Sequence, residues 1–302
     1  MRIVSLLPSL TEIVCALGRG DELVGVTHEC DFPPGVELLP HLTQSRIPAE
    51  ATSAAIDAMV VEQRGSLYEL DTEALAELRP DLILTQEQCD VCAVNEATVR
   101  RAAASLPGQP DVESVNPLDL EGVFAVFRRV GELIDSKSEA EALIERFETT
   151  SRWIADHRDG LPITSVVVLE WIDPPFSSGH WNPEIIDRAG GLEQIGRTRE
   201  KSRRITWDEV ARADPEFLLI SACGFSMDRT EAELAELIHR RDWQDLRAVR
   251  NGQVAITDGS AYFSRPGPRL EASIRIAAAA INPDLFGDLA PQGSWRPVAA
   301  RI

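Results

Sequence analysis

The chain has 302 residues, of which 44% are hydrophobic and 26% charged; it can build a core and is longer than one core usually is, so two lobes are expected. With 30 basic against 49 acidic residues the net charge is −19 and the sequence pI is about 4.7. That balance repels phosphate backbones and anionic lipid surfaces and argues against nucleic acid as a partner.

In chain order, residues 3–7 form a short apolar run stopped by Pro8, and Ser9 or Thr11 can cap a helix that carries Glu12 in its first turn and runs to Gly18. Residues 23–27 (LVGVT) read as a second strand. Residues 71–78 place Ala74, Leu75 and Leu78 at helical spacing and end before Arg79-Pro80. Residues 82–85 and 112–115 follow as strands. Strand and helix alternating in this way argue for a parallel sheet covered by helices.

From Leu118 to His157 the pattern changes. Phe124, Phe127, Val130, Leu133 and Ile134, then Ala140, Leu143, Ile144, Phe147 and Ile154 recur at intervals of three and four, and no proline interrupts residues 118–161. This spacing predicts one helix of about forty residues, ~60 Å long, or two nearly collinear pieces broken near Asp135-Ser136. Alternation then resumes with strand 163–170, helix 183–189, helix 207–213, strand 217–221, helix 231–240, strand 254–257 and helix 268–280. The fold class expected is α/β: two Rossmann-like lobes with parallel sheets joined by one long backbone helix. Their bounds are 1–116 for the N-terminal lobe, 117–159 for the helix and 160–302 for the C-terminal lobe.

The N-terminus MRIVSLLPSLTEIVCALG has Pro8, Ser9, Thr11 and Glu12 where a secretory leader needs an apolar stretch, and no run approaches the ~18 apolar residues of a membrane span. The five cysteines are an odd number, which suits reduced thiols. A cytoplasmic location is expected for the chain as given, or a periplasmic or cell-surface one if a leader has been removed.

The stretches RIVSLLPSLTEIVCALGRGDELVGVTHECDFP, ELRPDLIL and ITWDEVARADPEFLLIS together resemble the helical-backbone (class III, cluster A) substrate-binding proteins of ABC importers. These proteins capture cobalamin, haem, siderophores and some metals. The likeness is nearest to the cobalamin-binding members and spans about residues 2–281. It implies a ligand-binding role, a permease as possible partner, and a corrinoid or related tetrapyrrole or metal chelate as ligand in a cleft between the lobes. THECDFP, TQEQCDVCAV, EWIDPPFSSGHW and YFSRPGPR look like a distinct branch without a leader.

In open parallel sheets, ligands sit beyond the carboxyl ends of the strands, where loops vary on a fixed scaffold. That rule selects His28, Glu29 and Cys30 after the second strand, Gln86 through Cys92 after LILT, Glu170 and Trp171 after VVVLE, Cys223 to Phe225 after LLIS, and Asp258 to Arg265 after VAIT. Cys89 and Cys92 in a CxxC, with Cys30 and His28, could hold zinc or an iron–sulfur cluster; equally they could be a redox pair, touch a corrinoid directly, or simply pack a loop. Cys15 reads as core.

Two prolines and two serines would hold Trp171, Phe176, His180 and Trp181 in an extended loop suited to a large planar ligand, unless the indoles are core. His180 could ligate a metal, including the cobalt of a corrinoid, or make a loop hydrogen bond. Tyr262, Phe263 and Arg265, with Arg269, could meet the ligand rim, or the arginines could pair with surface acids. His41, His157 and His239 look like surface residues, and REKSRR at 199–204 is a basic loop too short to imply nucleic acid. No Gly-x-Ser-x-Gly, HExxH or phosphate loop is present, so a binding role outweighs the alternative of a metal-site or redox protein, possibly an enzyme.

Overall fold

The computed structural model describes residues 1–62, 67–87 and 94–298. It divides into two units. One comprises residues 1–51, 55–117 and 121–144; the other comprises 52–54, 118–120 and 145–302.

The first unit contains β1 (Ile3–Ser5), α1 (Pro8–Ala16), β2 (Leu23–Val26), β3 (Thr43–Ser45), most of α2 (Ser53–Glu62), β4 (Tyr68–Leu70), α3 (Thr72–Leu78), β5 (Leu82–Gln86), α4 (Glu96–Ser105) and β6 (Asp111–Val115). Its sheet runs β2-β1-β5-β6 with every pairing parallel, and β3 and β4 form a separate antiparallel pair. Val4, Leu6, Ile83, Leu75 and Val99 fill the core between this sheet and its helices.

Next come α5 (Leu120–Leu133) and α6 (Lys137–His157), and the boundary between the units falls inside α6, between Ile144 and Glu145. The helical region is therefore in two pieces, and they are not collinear. Arg128 of α5 reaches Glu141 of α6 at 2.9 Å, and a Cβ on Gly131 would stand 2.9 Å from Cβ of Ala140. Thirteen residues along a straight helix would span ~20 Å. The turn lies at Asp135, whose φ of 54° is left-handed, and Gly131 permits the close approach. The rod of about forty residues is thus replaced by a 21-residue α6 and a folded-back α5.

The second unit continues with β7 (Thr164–Trp171), β8 (Phe176–Ser177), α7 (Asn182–Arg188), β9 (Gly191–Glu193), α8 (Trp207–Ala213), β10 (Phe217–Ile220), α9 (Met227–Leu237), α10 (Arg241–Gln244), α11 (Arg247–Arg250), β11 (Val254–Thr257), α12 (Leu270–Ile281), α13 (Pro283–Phe286) and β12 (Trp295–Pro297). Its sheet orders β12-β11-β10-β7-β8, with β9 alongside the start of β7. The β7–β10 and β10–β11 pairs are parallel, while β8 and β12 add antiparallel edges. Val166 to Leu169 are all buried, as expected for a parallel strand covered on both faces.

The motif repeated in the sequence has a structural counterpart. Asp71 caps α3 and Thr206 caps α8, the latter with Glu209 in a reciprocal capping box; each helix ends on a left-handed residue before proline, Arg79 (φ 45°) and Asp214 (φ 42°). Each turn then delivers a strand to the interior of its sheet, β5 and β10.

Candidate functional site

In each unit the carboxyl ends of the central parallel strands gather the residues that strand polarity had selected. In the first unit that edge is made of hydroxyls. Thr11 Oγ1 donates to Ser5 Oγ at 2.8 Å and lies 3.1 Å from Cys30 Sγ. Thr43 Oγ1 donates to Thr27 Oγ1 at 2.8 Å, accepts the backbone N–H of His28 at 3.1 Å, and lies 2.6 Å from His28 Nδ1. The His28 ring is 5.3 Å from Tyr68, and its Nε2 is 3.2 Å from Glu29 Oε1, an ion pair only when the ring is protonated.

Gln86 is buried at the end of β5. Cys30 is buried with Val26 and Val36, and Cys15 and Leu39 pack on the same cluster. Burial, followed by the charge of Glu12, raises the Cys15 thiol above its ordinary pKa. Cys89 and Cys92 lie outside the described residues, and among the described residues no three His, Cys, Asp or Glu side chains are grouped to hold a metal ion.

The second unit's edge is aromatic and charged. Residues 170–181 were expected to form an extended loop that joins no sheet. Instead Phe176 and Ser177 turn back to pair antiparallel with Trp171 and Leu169. Pro174 and Pro175 lack N–H groups, but they form the turn and leave the next two residues free to bond. Trp171 is half-buried; its ring lies 4.9 Å from Phe225, and its indole N–H donates to Ser53 O at 3.2 Å. Arg229 stacks over the other partner of that contact, 3.7 Å from the Phe225 centroid.

Trp181 is buried and donates Nε1–H to Phe263 O at 2.6 Å, so it serves as a pin within the fold. Phe263 is fully buried at a left-handed φ of 51°. Arg265, for which a surface pairing was one expectation, is 8% exposed and donates to Ser260 Oγ at 3.1 Å. Tyr262 remains half-exposed, with the Arg269 guanidinium 5.8 Å from its ring.

Glu170 and His180 carry the electrostatics. Glu170 Oε1 accepts the Gly179 N–H at 3.0 Å and Asn182 Nδ2 at 2.7 Å; burial nevertheless raises its pKa to about 7, against the lowering effect of those donors. His180 sits at φ 53°, its ring 5.4 Å from Trp181. Its Nε2 is buried and finds no hydrogen-bond partner among the described residues. Burial first, and then the charge of Lys201, hold its pKa below the ordinary value, so the imidazole is neutral at pH 7 with one nitrogen available as an acceptor.

Three contributors escaped the sequence. Arg229 was missed because α9 starts at Met227, four residues before the predicted start, on the Ser226 cap. Asn182 had no chemical signature of its own. Ser53 lies far away in sequence, yet its N–H and hydroxyl donate to Glu233 at 3.1 and 2.6 Å.

The sequence profile of the periplasmic binding protein family matches residues 3–261. An uncharacterised ABC transporter substrate-binding lipoprotein of Bacillus subtilis is 22% identical over 94% of this chain and 81% of its own length. A vitamin B12-binding protein of Pectobacterium carotovorum is 23% identical over 89% of this chain and 84% of its own. Among solved structures, a periplasmic heme-binding protein from Pseudomonas aeruginosa superposes with a TM-score of 0.73 at 20% identity, covering all of this chain and 99% of the other.

Proposed function

The chain belongs to the periplasmic binding protein family, and from that premise we propose that it is a receptor or carrier for a planar, metal-centred macrocycle, a corrinoid before a haem, delivered to an ABC importer permease. The observation that carries the reading is His180: a neutral imidazole whose buried Nε2 has no partner among the described residues, in a turn tied through Glu170 to the strand end that carries half-exposed Trp171 and through Trp181 to the loop of half-exposed Tyr262. Aromatic faces give a large planar ligand contact area at low entropic cost, and a neutral imidazole is the form that ligates cobalt or iron. Two relatives point to the same ligand class, one named for vitamin B12 and one for heme.

Among the described residues no helix is long and apolar enough to cross a membrane. The cytoplasmic expectation finds no support in these relatives, which are named as a lipoprotein or as periplasmic; export is the location that fits an importer's receptor. The metal-site alternative is not favoured. Cys30 is packed among apolar side chains, 3.1 Å from Thr11 Oγ1, and among the described residues no three His, Cys, Asp or Glu side chains are grouped to hold a metal ion.

The test is an absorbance titration of the purified protein with aquacobalamin, cyanocobalamin and hemin. One of them should saturate at one equivalent with Kd below about 10 μM, and His180→Ala should shift the visible bands of the bound aquacobalamin or hemin. Absence of binding by all three overturns the reading.

A further inference from the structure

Glu170 is the penultimate residue of β7, on the face opposite to that of Trp171, and the contacts of its carboxylate run to its own chain. Oε1 accepts the backbone N–H of Gly179 at 3.0 Å and the side-chain amide of Asn182 at 2.7 Å. A hydrogen bond from the Ser202 hydroxyl adds a third donor, from the loop that follows β9. These donors bracket His180 and Trp181 in sequence. The 197–204 loop fastens the same segment from the other side: His180 N–H donates to Glu200 O at 2.7 Å, Arg199 N–H to His180 O at 3.2 Å, and Ser177 N–H to Arg203 O at 3.0 Å.

Between these clamps His180 is kept in a left-handed conformation that a non-glycine residue seldom adopts, with Nε2 unpartnered among the described residues. Gly179 is the only residue type that fits beside it, since a Cβ there would lie 2.5 Å from Ser202 N and 2.6 Å from Glu200 O. Oδ1 of Asn182, without a partner among the described residues, has the same origin: its amide is turned so that the nitrogen serves Glu170. A partly buried carboxylate whose oxygen is occupied by donors from both sides of a strained residue acts on the geometry of that residue.

We propose that Glu170 is the positioning residue of this edge, holding the 179–182 turn so that the His180 imidazole is preset for its ligand. This rests on the reading of His180 as the ligand-facing group. It reassigns Glu170, selected from the sequence as a direct contact, to a role exercised through another residue.

Two measurements test it separately. The first needs no ligand. In the free protein, Glu170→Ala should speed amide hydrogen exchange of the 179–182 segment by about tenfold while other segments of the second unit keep their rates, and Glu170→Gln, which retains an acceptor oxygen, should restore most of the protection. Unchanged exchange at 179–182 in Glu170→Ala, or a Glu170→Gln variant as fast as Glu170→Ala, overturns the role. Asn182→Ala removes the shortest of these bonds from the opposite side and replaces Glu170→Ala if that variant does not fold.

The second measurement is a double-mutant cycle read by titration with whichever of aquacobalamin, cyanocobalamin and hemin wild type binds. Asn182→Ala should weaken binding about tenfold in the wild-type background and leave it nearly unchanged in the His180→Ala background. Equal loss in both backgrounds means that the clamp does not act through His180 and overturns the proposal. If wild type binds none of aquacobalamin, cyanocobalamin and hemin, the functional reading fails and the exchange experiment still decides the role of Glu170.

Discussion

At the carboxyl edge of the first unit's sheet, Ser5 with Thr11 and Thr27 with Thr43 are two buried hydroxyl pairs, whereas in the second unit a carboxylate and an indole end β7 and an imidazole and a second indole lie in the turn between β8 and α7. Both edges arise from one rule of strand polarity, but their chemistry differs. Hydroxyl pairs are nearly neutral in net energy and do not titrate near physiological pH, so the hydroxyl part of the first edge, beside His28 and Glu29, is an uncharged surface of fixed shape. The second edge combines large apolar area with groups whose protonation burial has moved toward neutrality. Truncations and pH changes should therefore act far more strongly on the second edge than on the first.

The largest effect is expected at Trp181, which is 4% exposed and holds the 258–265 loop through Phe263 O. Trp181→Ala should lower stability in urea denaturation by about 3–5 kcal/mol, and Trp181→Phe, which keeps a ring but leaves that carbonyl unpaired, by about 1–3 kcal/mol. A cost below about 1 kcal/mol for Trp181→Ala would remove the distinction between an aromatic pin and a ligand-facing ring.

Glu170 comes next, through pH. Its carboxyl titrates at about 7 in the folded protein against 4.5 as an ordinary carboxyl, so between those values the native state holds a proton that the unfolded chain has released. The stability this supplies is fully present below about pH 4.5 and is lost as pH rises through about 7, with a ceiling of about 3 kcal/mol. Glu170→Gln cannot lose it. The stability of the variant relative to wild type should therefore increase between pH 4.5 and 8, and a gap that is flat with pH would place the titration elsewhere. Glu193, whose carboxyl is also raised by burial, remains in both proteins and supplies the common background.

The fold was readable because its signals are local and redundant. Asp71 and Thr206 cap their helices, Pro80 and Pro215 end them, and the apolar runs after each can only be buried strands. The turn between α5 and α6 was less readable. A 3.6-residue period continues through residues 124–154 on both sides of Asp135, and nothing in the pattern reports that Gly131 lets the chain fold back on Ala140. In the candidate site the residue types at strand ends were found and their uses were not. Trp181 and Arg265 looked like ligand contacts because aromatic and guanidinium groups serve either purpose; their burial and their bonds to Phe263 and Ser260 depend on chain segments that sequence spacing does not bring together. Ser53 and Glu233, 180 residues apart, are the extreme case.

In the first unit the contrast is sharpened by Thr43→Val. The hydroxyl of Thr43 donates to Thr27 and accepts from His28 N–H, and its loss leaves buried partners unsatisfied. A cost of about 1–2 kcal/mol is expected, independent of pH between 7 and 9, measured by urea denaturation. A pH-dependent cost would mean that the hydroxyl pair is coupled to the charges of His28 and Glu29 beside it.

The smallest effect sets the zero of this scale. Arg128 joins α5 to α6 through Glu141 at 2.9 Å and also meets Glu121 at 3.1 Å; these pairs hold its pKa above the ordinary value, the hydrogen bond to Glu141 foremost. All three side chains are exposed, so the attraction works through water and competes with the entropy of ordering long side chains. Arg128→Ala should cost only about 0.2–1 kcal/mol, and most of that should vanish in 1 M salt, where the screening length falls to about 3 Å. The fold-back of α5 on α6 would then rest on the Gly131–Ala140 approach. Gly131→Val, which drives a side chain toward Ser136 O and the Ala140 methyl, should cost more than Arg128→Ala, about 1–3 kcal/mol. The reverse order would make the ion pairs, rather than backbone proximity, the reason the helix turns at Asp135.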